Sequence, residues 1–193
     1  MQSVITPIPK RPKFHYPIHL FFDQDDAQAA WDEWHCNCGP SALAAVLGLT
    51  LDEVRPLLGD FENKRYMSPT MMQSAIERAG RKVAKYELGL WKEPCTRIHR
   101  CLVRIQWTGP WTAPGANPRW AYRQTHWIAA FYVDDRLQIF DVNGGMLYFE
   151  DWEKTIVPLL VAMYPKADGG YRPTHIWRAA VKSFKPHGGG RGR

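Results

Sequence analysis

The spacing of apolar and polar positions changes once along this 193-residue chain, near residue 80. Before that point the pattern is helical. "CGPSALAAVLGL", starting at Cys38, is an almost unbroken apolar run with Pro40 near its start, where a missing N–H costs nothing, and it predicts a buried helix. Thr50 and Glu53 form a capping box for a second helix, "TLDEVRPLL". Ser68 and Pro69 open a third, "SPTMMQSAIERAG", which Gly80 stops. After residue 80 the period falls to two. "RKVAKYEL" and "CLVRIQW" read as strands, and "HWIAAFYV" and "RLQIFDV" as a hairpin across an Asp134-Asp135 turn. "MLYFEDW" reads as a further short strand, "WEKTIVPLLVAMY" as a helix bent near Pro158, and "THIWRAAVKSF" as the last strand. Helices first and antiparallel strands later predict an α+β fold with one core.

Composition sharpens the boundaries. Residues 1–24 form a proline-rich stretch expected to be an extended arm, residues 25–183 the domain, and residues 184–193 a basic Gly/Arg tail expected to be flexible. A hydrophobic content of 45%, with nine Trp, eight Tyr and eight Phe, excludes a disordered chain. Four cysteines are too few for a disulfide framework at this length. Prolines interrupt the N-terminal region where a signal peptide would need an apolar block, and no stretch approaches the roughly 20 apolar residues of a spanning helix. The expectation is a protein with free thiols, in a reducing cytoplasm or within a virion or other assembly, and no membrane span.

The net charge of +6 is unevenly placed. Arg97, Arg100, Arg104, Arg119 and Arg123 fall in a stretch without a single Asp or Glu, beside Trp107, Trp111, Trp120 and Tyr122. Such a surface attracts an acidic partner or a polyanion. No helix-turn-helix, zinc-finger or RNA-binding signature accompanies it, so nucleic acid rests on charge alone.

The candidate chemistry begins at "HCNCGP". A cysteine at a helix entrance gains from the free N–H groups and the dipole there, which favour its thiolate, and a thiolate so placed is a nucleophile. It needs a histidine to take its proton and a third group to orient that histidine. The hairpin supplies both. With Asp134-Asp135 as a two-residue turn, His126 lies opposite Asn143, and Asp141 opposite Ile128, so Asp141 and Asn143 share the face of His126. A one-residue slip would undo this.

These residues carry a resemblance. "NCGPSALAAVLG", then "THWIAAF" and "QIFDVNGG", resemble in that order the papain-like cysteine peptidases, and within them the double-glycine leader peptidases of bacteriocin exporters. The resemblance spans three short motifs within residues 30–145. It implies a papain-like fold, in which the nucleophile helix packs on a C-terminal antiparallel sheet. It also implies Cys38 as nucleophile, His126 as general base and Asp141 as orienting acid, with Asn143 the alternative third member. The chain departs from the family pattern at one place. The family's oxyanion glutamine, six residues before the nucleophile, is Asp32 here, and a carboxylate aimed at an oxyanion would oppose the transition state. Asn37, Gln28 or the indole N–H of Trp34 are the substitutes within reach in sequence. Asp32 therefore keeps a second class open: a papain-like structural or interaction protein without activity, a component of a larger, phage-like assembly.

Three further readings stay beside these. Cys36 is taken as incidental to the turn. His35, Cys36, Cys38, Cys95, His99 and Cys101 offer zinc ligand types, but without the Cys-x₂₋₄-Cys knuckle of structural zinc, so neither a metal nor another cofactor is expected. The loop "QWTGPWTAPGANPRW" precedes His126, so Trp107 and Trp111, with Trp34 and Trp127, are candidates for the wall or lid of a cleft that binds a peptide or protein substrate.

Overall fold

The computed structural model describes residues 16, 20–86, 100–133, 136–164 and 166–179. Most of the expected arm, the Asp134-Asp135 turn, Cys95, His99 and the tail 184–193 lie outside the described residues.

The chain enters its first helix, α1 (Gln24–Trp34), through Asp23, whose carboxylate accepts the N–H groups of Asp25 and Asp26 while Asp26 accepts the Asp23 N–H. His35 closes α1 in the left-handed region, at φ 56°, and turns the chain toward α2 (Cys38–Leu47). Every residue of α2 from Gly39 to Leu47 is buried, which is why its sequence has no polar face. The Thr50–Glu53 capping box forms and starts α3 (Leu51–Val54), but Pro56 tightens the continuation into a 3₁₀ turn, Arg55–Leu57. A single unforeseen turn, α4 (Phe61–Lys64), precedes α5 (Pro69–Arg78), which Ser68 caps and Gly80 follows at φ 68°.

The second half builds β1 (Val83–Tyr86), β2 (Arg100–Trp107), a loop holding the short helix α6 (Pro118–Arg123), then β3 (Thr125–Val133), β4 (Arg136–Asp141) and β5 (Gly145–Tyr148). The segment "FEDW", expected to extend that strand, is helical instead. Glu150 and Asp151 favour a helix N-terminus, and α7 (Phe149–Asp151) runs through a π turn, Trp152–Ile156, into α8 (Val157–Met163). Pro158 is the cause of the wide turn, since its ring crowds the carbonyl one turn back and it has no N–H to offer. Strand β6 (Tyr171–Ala179) starts earlier than its apolar pattern indicated.

All six strands pair antiparallel in the order β1-β6-β2-β3-β4-β5. The molecule is thus α+β. Alternation along the strands divides the core in two. Leu102, Trp127, Ala129, Phe131, Phe140 and Trp177 pack with α2 and its neighbouring helices on one face. Val103, Ile105, Ile128, Ala130 and Ile139 pack with Trp152, Ile156 and Leu160 on the other. Tyr16, from the predicted arm, belongs to the first core, where its hydroxyl donates to the Val142 carbonyl at 2.7 Å. Among the described residues no helix is long and apolar enough to cross a membrane.

Candidate active site

The β3–β4 ladder runs from Val133↔Arg136 to Ala129↔Phe140, which is the register assumed from the sequence. Continued by the same count, it puts His126 and Asp141 at the open end of the hairpin, on the face of Ile128 and Ile139. The N-terminal end of α2 meets that open end from the other side of the sheet. Gly39 makes the approach close: a Cβ there would lie 2.5 Å from Met67 Cγ and 3.6 Å from the Trp127 ring.

His126 is 3% exposed and Asp141 fully buried. The imidazole Nε2 lies 2.9 Å from Asp141 Oδ2, leaving Nδ1 for Cys38, with which His126 also hydrogen-bonds. Asp141 is held on both oxygens. Oδ2 also accepts the indole N–H of Trp152 at 2.8 Å, and Oδ1 accepts the backbone N–H of Asn143 at 2.8 Å. Trp152, at the start of the π turn, therefore fixes the carboxylate that faces the imidazole. Its role was hidden in the sequence, because "FEDW" read as strand.

Electrostatics follow from this packing. Burial disfavours the His126 imidazolium, but the Asp141 charge and hydrogen bond outweigh it together with Cys38, and raise its pKa to about 10. Burial likewise opposes the Asp141 carboxylate, yet His126, Trp152 and the Asn143 N–H hold its pKa below the ordinary value. The Cys38 thiol is shifted well below its usual range. The largest cause is a hydrogen bond from Cys36; burial opposes it, and the hydrogen bond and charge of His126 and the Trp127 N–H add to it. Cys36 is shifted the other way, well above its usual range, by its hydrogen bond to Cys38, by burial and by the Cys38 charge. Cys36, Cys38 and His126 line one cavity, with Cys38 shifted toward its thiolate and Cys36 away from it. Cys36 is thus part of the cluster, and the reading of it as incidental is corrected. The Cys38 N–H is in turn directed at the Cys36 sulfur.

Replacing Cys36 with alanine is expected to raise the apparent pKa of Cys38 alkylation by roughly one unit, the scale of one hydrogen bond to a charged group. The iodoacetamide rate of Cys38 against pH, read by peptide mass spectrometry, checks this. An unmoved profile would show that Cys36 does not hold the thiolate.

A cavity of about 300 Å³ opens on the cluster. Cys36, Cys38 and His126 line it, with Trp31, Leu160, Met163 and Tyr164 as its apolar and aromatic wall. Burial, with the Cys38 charge, pushes the Tyr164 phenol upward, and its hydroxyl donates to the Thr125 carbonyl at 3.0 Å. Gln124 and Arg123, at the end of α6, and Arg65, after α4, complete the rim.

Several expected residues have other partners. Asn143 also lines the cavity but meets Asp141 through its backbone, and it is Asp141 that bonds the imidazole. Asn37 lines the cavity too, with its buried amide donating to the Ala27 carbonyl at 2.6 Å, a structural tie between α2 and α1. Gln28 and Asp32 bond each other at 2.8 Å on the exposed face of α1, one turn apart, and neither lines the cavity. The tryptophans are core. Trp34 packs edge-on against Phe61 under the Arg55 guanidinium. Trp107 is fully buried below Tyr164 and Tyr171, and Trp111 donates its indole N–H to the Trp107 carbonyl at 2.6 Å. Trp127 stacks with Trp177 and donates to the Met67 carbonyl at 2.9 Å, so only its backbone reaches Cys38. Large aromatics in so small a domain are needed to fill the two cores, and this outweighs their use as a lid.

Cys101 sits on the core face opposite the helix of Cys38, which separates it from the Cys-x-Cys turn. Among the described residues no group of three His, Cys, Asp or Glu side chains is arranged to hold a metal ion. No family model matches the sequence, and no characterised protein matches it either.

Proposed function

We propose that this chain is a papain-like thiol hydrolase that cleaves a peptide or isopeptide-like amide. The observation that carries the reading is that Cys38 and His126 line one cavity, with the imidazole bonded to a buried Asp141 carboxylate that Trp152 fixes. In the first step the Cys38 sulfur attacks the scissile carbonyl and the C=O pair moves to oxygen. The Cys38 N–H, at the start of α2, is the backbone donor this reading assigns to that oxygen. His126 gives its proton to the departing amine as the C–N bond breaks, leaving a thioester on Cys38. Water, deprotonated by the now neutral His126, attacks the thioester, and expulsion of the sulfur restores the thiolate and imidazolium. Asp141 holds the imidazole in the orientation both transfers need. Asp32, turned to Gln28 on the outer face of α1, does not aim its charge at the oxyanion.

A second reading has its own observation. Gln28 and Asp32 bond each other away from the cavity, and Asn37, which lines it, gives an amide N–H to the Ala27 carbonyl, so a papain-like module retained for binding within an assembly also fits. Incubation with a proteome-derived peptide mixture separates the two. Under the hydrolase reading new termini appear with the wild-type protein and not with Cys38→Ala. A wild-type protein whose Cys38 alkylates rapidly yet leaves the mixture uncut favours the binding module.

A further inference from the structure

Among the described residues the cavity is lined by two guanidinium groups, those of Arg65 and Arg123, and by no Asp or Glu. Neither arginine is engaged in an ion pair with another described residue; the described pairs are Arg55 with Glu33 and Glu62, Lys64 with Asp60, and His126 with Asp141. The two arginines come from different parts of the fold, one after α4 and one at the end of α6. Their positions are nevertheless coupled, because the adjoining Tyr66 and Tyr122 rings meet at 5.9 Å with an interplanar angle of 32°. A third cation lies behind them. Arg104 is 4% exposed, donates to Thr174 Oγ1 at 2.6 Å and Gln106 Oε1 at 2.7 Å, and packs over the Tyr122 ring at 5.6 Å. Among the described residues its Nε has no partner and no carboxylate pairs with it. The Asp141 carboxylate is compensated by His126.

We infer that the cleft selects amide substrates carrying a carboxylate beside the scissile bond, with Arg65 and Arg123 as the groups that hold it. The inference rests on the hydrolase reading for the words "amide" and "scissile"; the anion-selective rim itself does not. Two planar forks suit the bidentate geometry of a carboxylate. The apolar wall of Leu160 and Met163, the latter 63% exposed, is open to the aliphatic part of the same residue. An acidic peptide meets these requirements, through either an Asp or Glu side chain or a chain-terminal carboxylate.

The test uses Cys38 as its own reporter. Iodoacetate and iodoacetamide differ by one negative charge, so their rate ratio at Cys38 reads the rim potential without any hydrolysis. Wild type is compared with Arg65→Gln, Arg123→Gln and the double variant, at low salt and at about 1 M salt, where screening acts within roughly 3 Å. Loss of both arginines is expected to lower the ratio about three- to tenfold at low salt, on the scale of surface charges several ångströms away, and high salt to remove the difference. An unchanged ratio in the double variant overturns the inference. Peptide pairs then differ by Glu against Gln beside the cleaved bond, and by a free against an amidated C-terminus, which separates the two carboxylate sources. A ratio that falls with arginine loss, while no peptide is cut, removes the hydrolase reading and leaves the anion site standing. Equal cleavage of acidic and neutral peptides removes the selectivity and leaves the hydrolase.

Discussion

His126→Ala is expected to move the apparent pKa of Cys38 alkylation up toward the ordinary thiol value of about 8.5 and to reduce amide hydrolysis by at least about 10³-fold. Both follow from one deletion. The imidazolium supplies a hydrogen bond and a charge that favour the Cys38 thiolate, and in the proposed hydrolysis it is the acid that protonates the leaving amine. The two readouts differ in size for a physical reason. At pH 6 a thiol of pKa about 8.5 is only about 0.3% ionised, but a more basic thiolate is also more nucleophilic, so the alkylation rate drops by less than the ionised fraction does. Hydrolysis has no such compensation, because the proton for the leaving group is gone. His126→Ala also strands the buried Asp141 carboxylate, and removing one partner of a buried pair costs about 3–5 kcal/mol. His126→Gln, which keeps a donor toward Asp141, guards against confusing loss of fold with loss of chemistry. Alkylation profiles for Cys38 that coincide in wild type, His126→Gln and a folded His126→Ala would sink the ion-pair account.

The parts of this fold that were legible in the sequence are those fixed by local physics. Thr50 with Glu53 and Ser68 with Met71 form the caps their spacing dictates, and the α2 apolar run is buried on all sides as its composition requires. The hairpin register was readable because a slip would have turned Ile128, Ala130 and Ile139 away from their core. What stayed hidden was set by contacts distant in sequence. "MLYFEDW" has strand-like alternation, and only the covering of the second core by Phe149, Trp152 and Ile156 makes its latter half helical. That same turn delivers Trp152 to Asp141. The cleft wall was misread because tryptophan near a candidate site serves a core equally well, and Trp34, Trp107 and Trp127 are used that way. Helical spacing would have tempered the reading of Gln28 and Asp32. Four apart on α1, they face the same side, while Ala27, Ala30 and Trp34 show that side to be away from the core. Cys36 was set aside as incidental to the turn, because nothing local in "HCNCGP" shows that the fold brings its side chain to the same cavity as Cys38 and His126.

Asp141→Asn tests the deepest member of the cluster and separates its electrostatic role from its shape. Asparagine preserves volume and can still accept from the Trp152 indole, but it removes the charge that holds the imidazolium against burial. His126 should then be neutral at pH 7, Cys38 should return toward a thiol, and hydrolysis should fall by about 10³–10⁴-fold, the scale of neutralising the carboxylate of such a triad. The pH dependence of stability carries a sharper signature. A raised His126 pKa contributes stability that is complete below about 6.5 and lost as pH rises through about 10. A lowered Cys38 pKa contributes stability present above about 8.5 and lost as pH falls through its folded value. Between about 6.5 and 8.5 the folded pair, thiolate with imidazolium, and the unfolded pair, thiol with imidazole, bind the same number of protons, so the two slopes cancel. Above that window the unfolded thiol ionises, and wild-type stability should decline toward pH 10. Asp141, lowered in the fold, adds stability that is lost only as pH falls below about 3.9. In Asp141→Asn the alkaline decline owed to the Cys38–His126 pair should disappear, because a thiol and a neutral imidazole titrate there as they do in the unfolded chain. On the acid side the two proteins should run alike: below about 6.5 the unfolded chain gains a proton on its imidazole that neither the wild-type thiolate–imidazolium pair nor the variant's thiol with neutral imidazole takes up. Urea unfolding midpoints at pH 5.5, 7.5 and 9.5 measure this directly. A variant whose midpoint falls from pH 7.5 to 9.5 less steeply than wild type, while the two fall alike from 7.5 to 5.5, bears out the charge relation. Parallel curves would mean that Asp141 holds His126 by shape and hydrogen bonding alone.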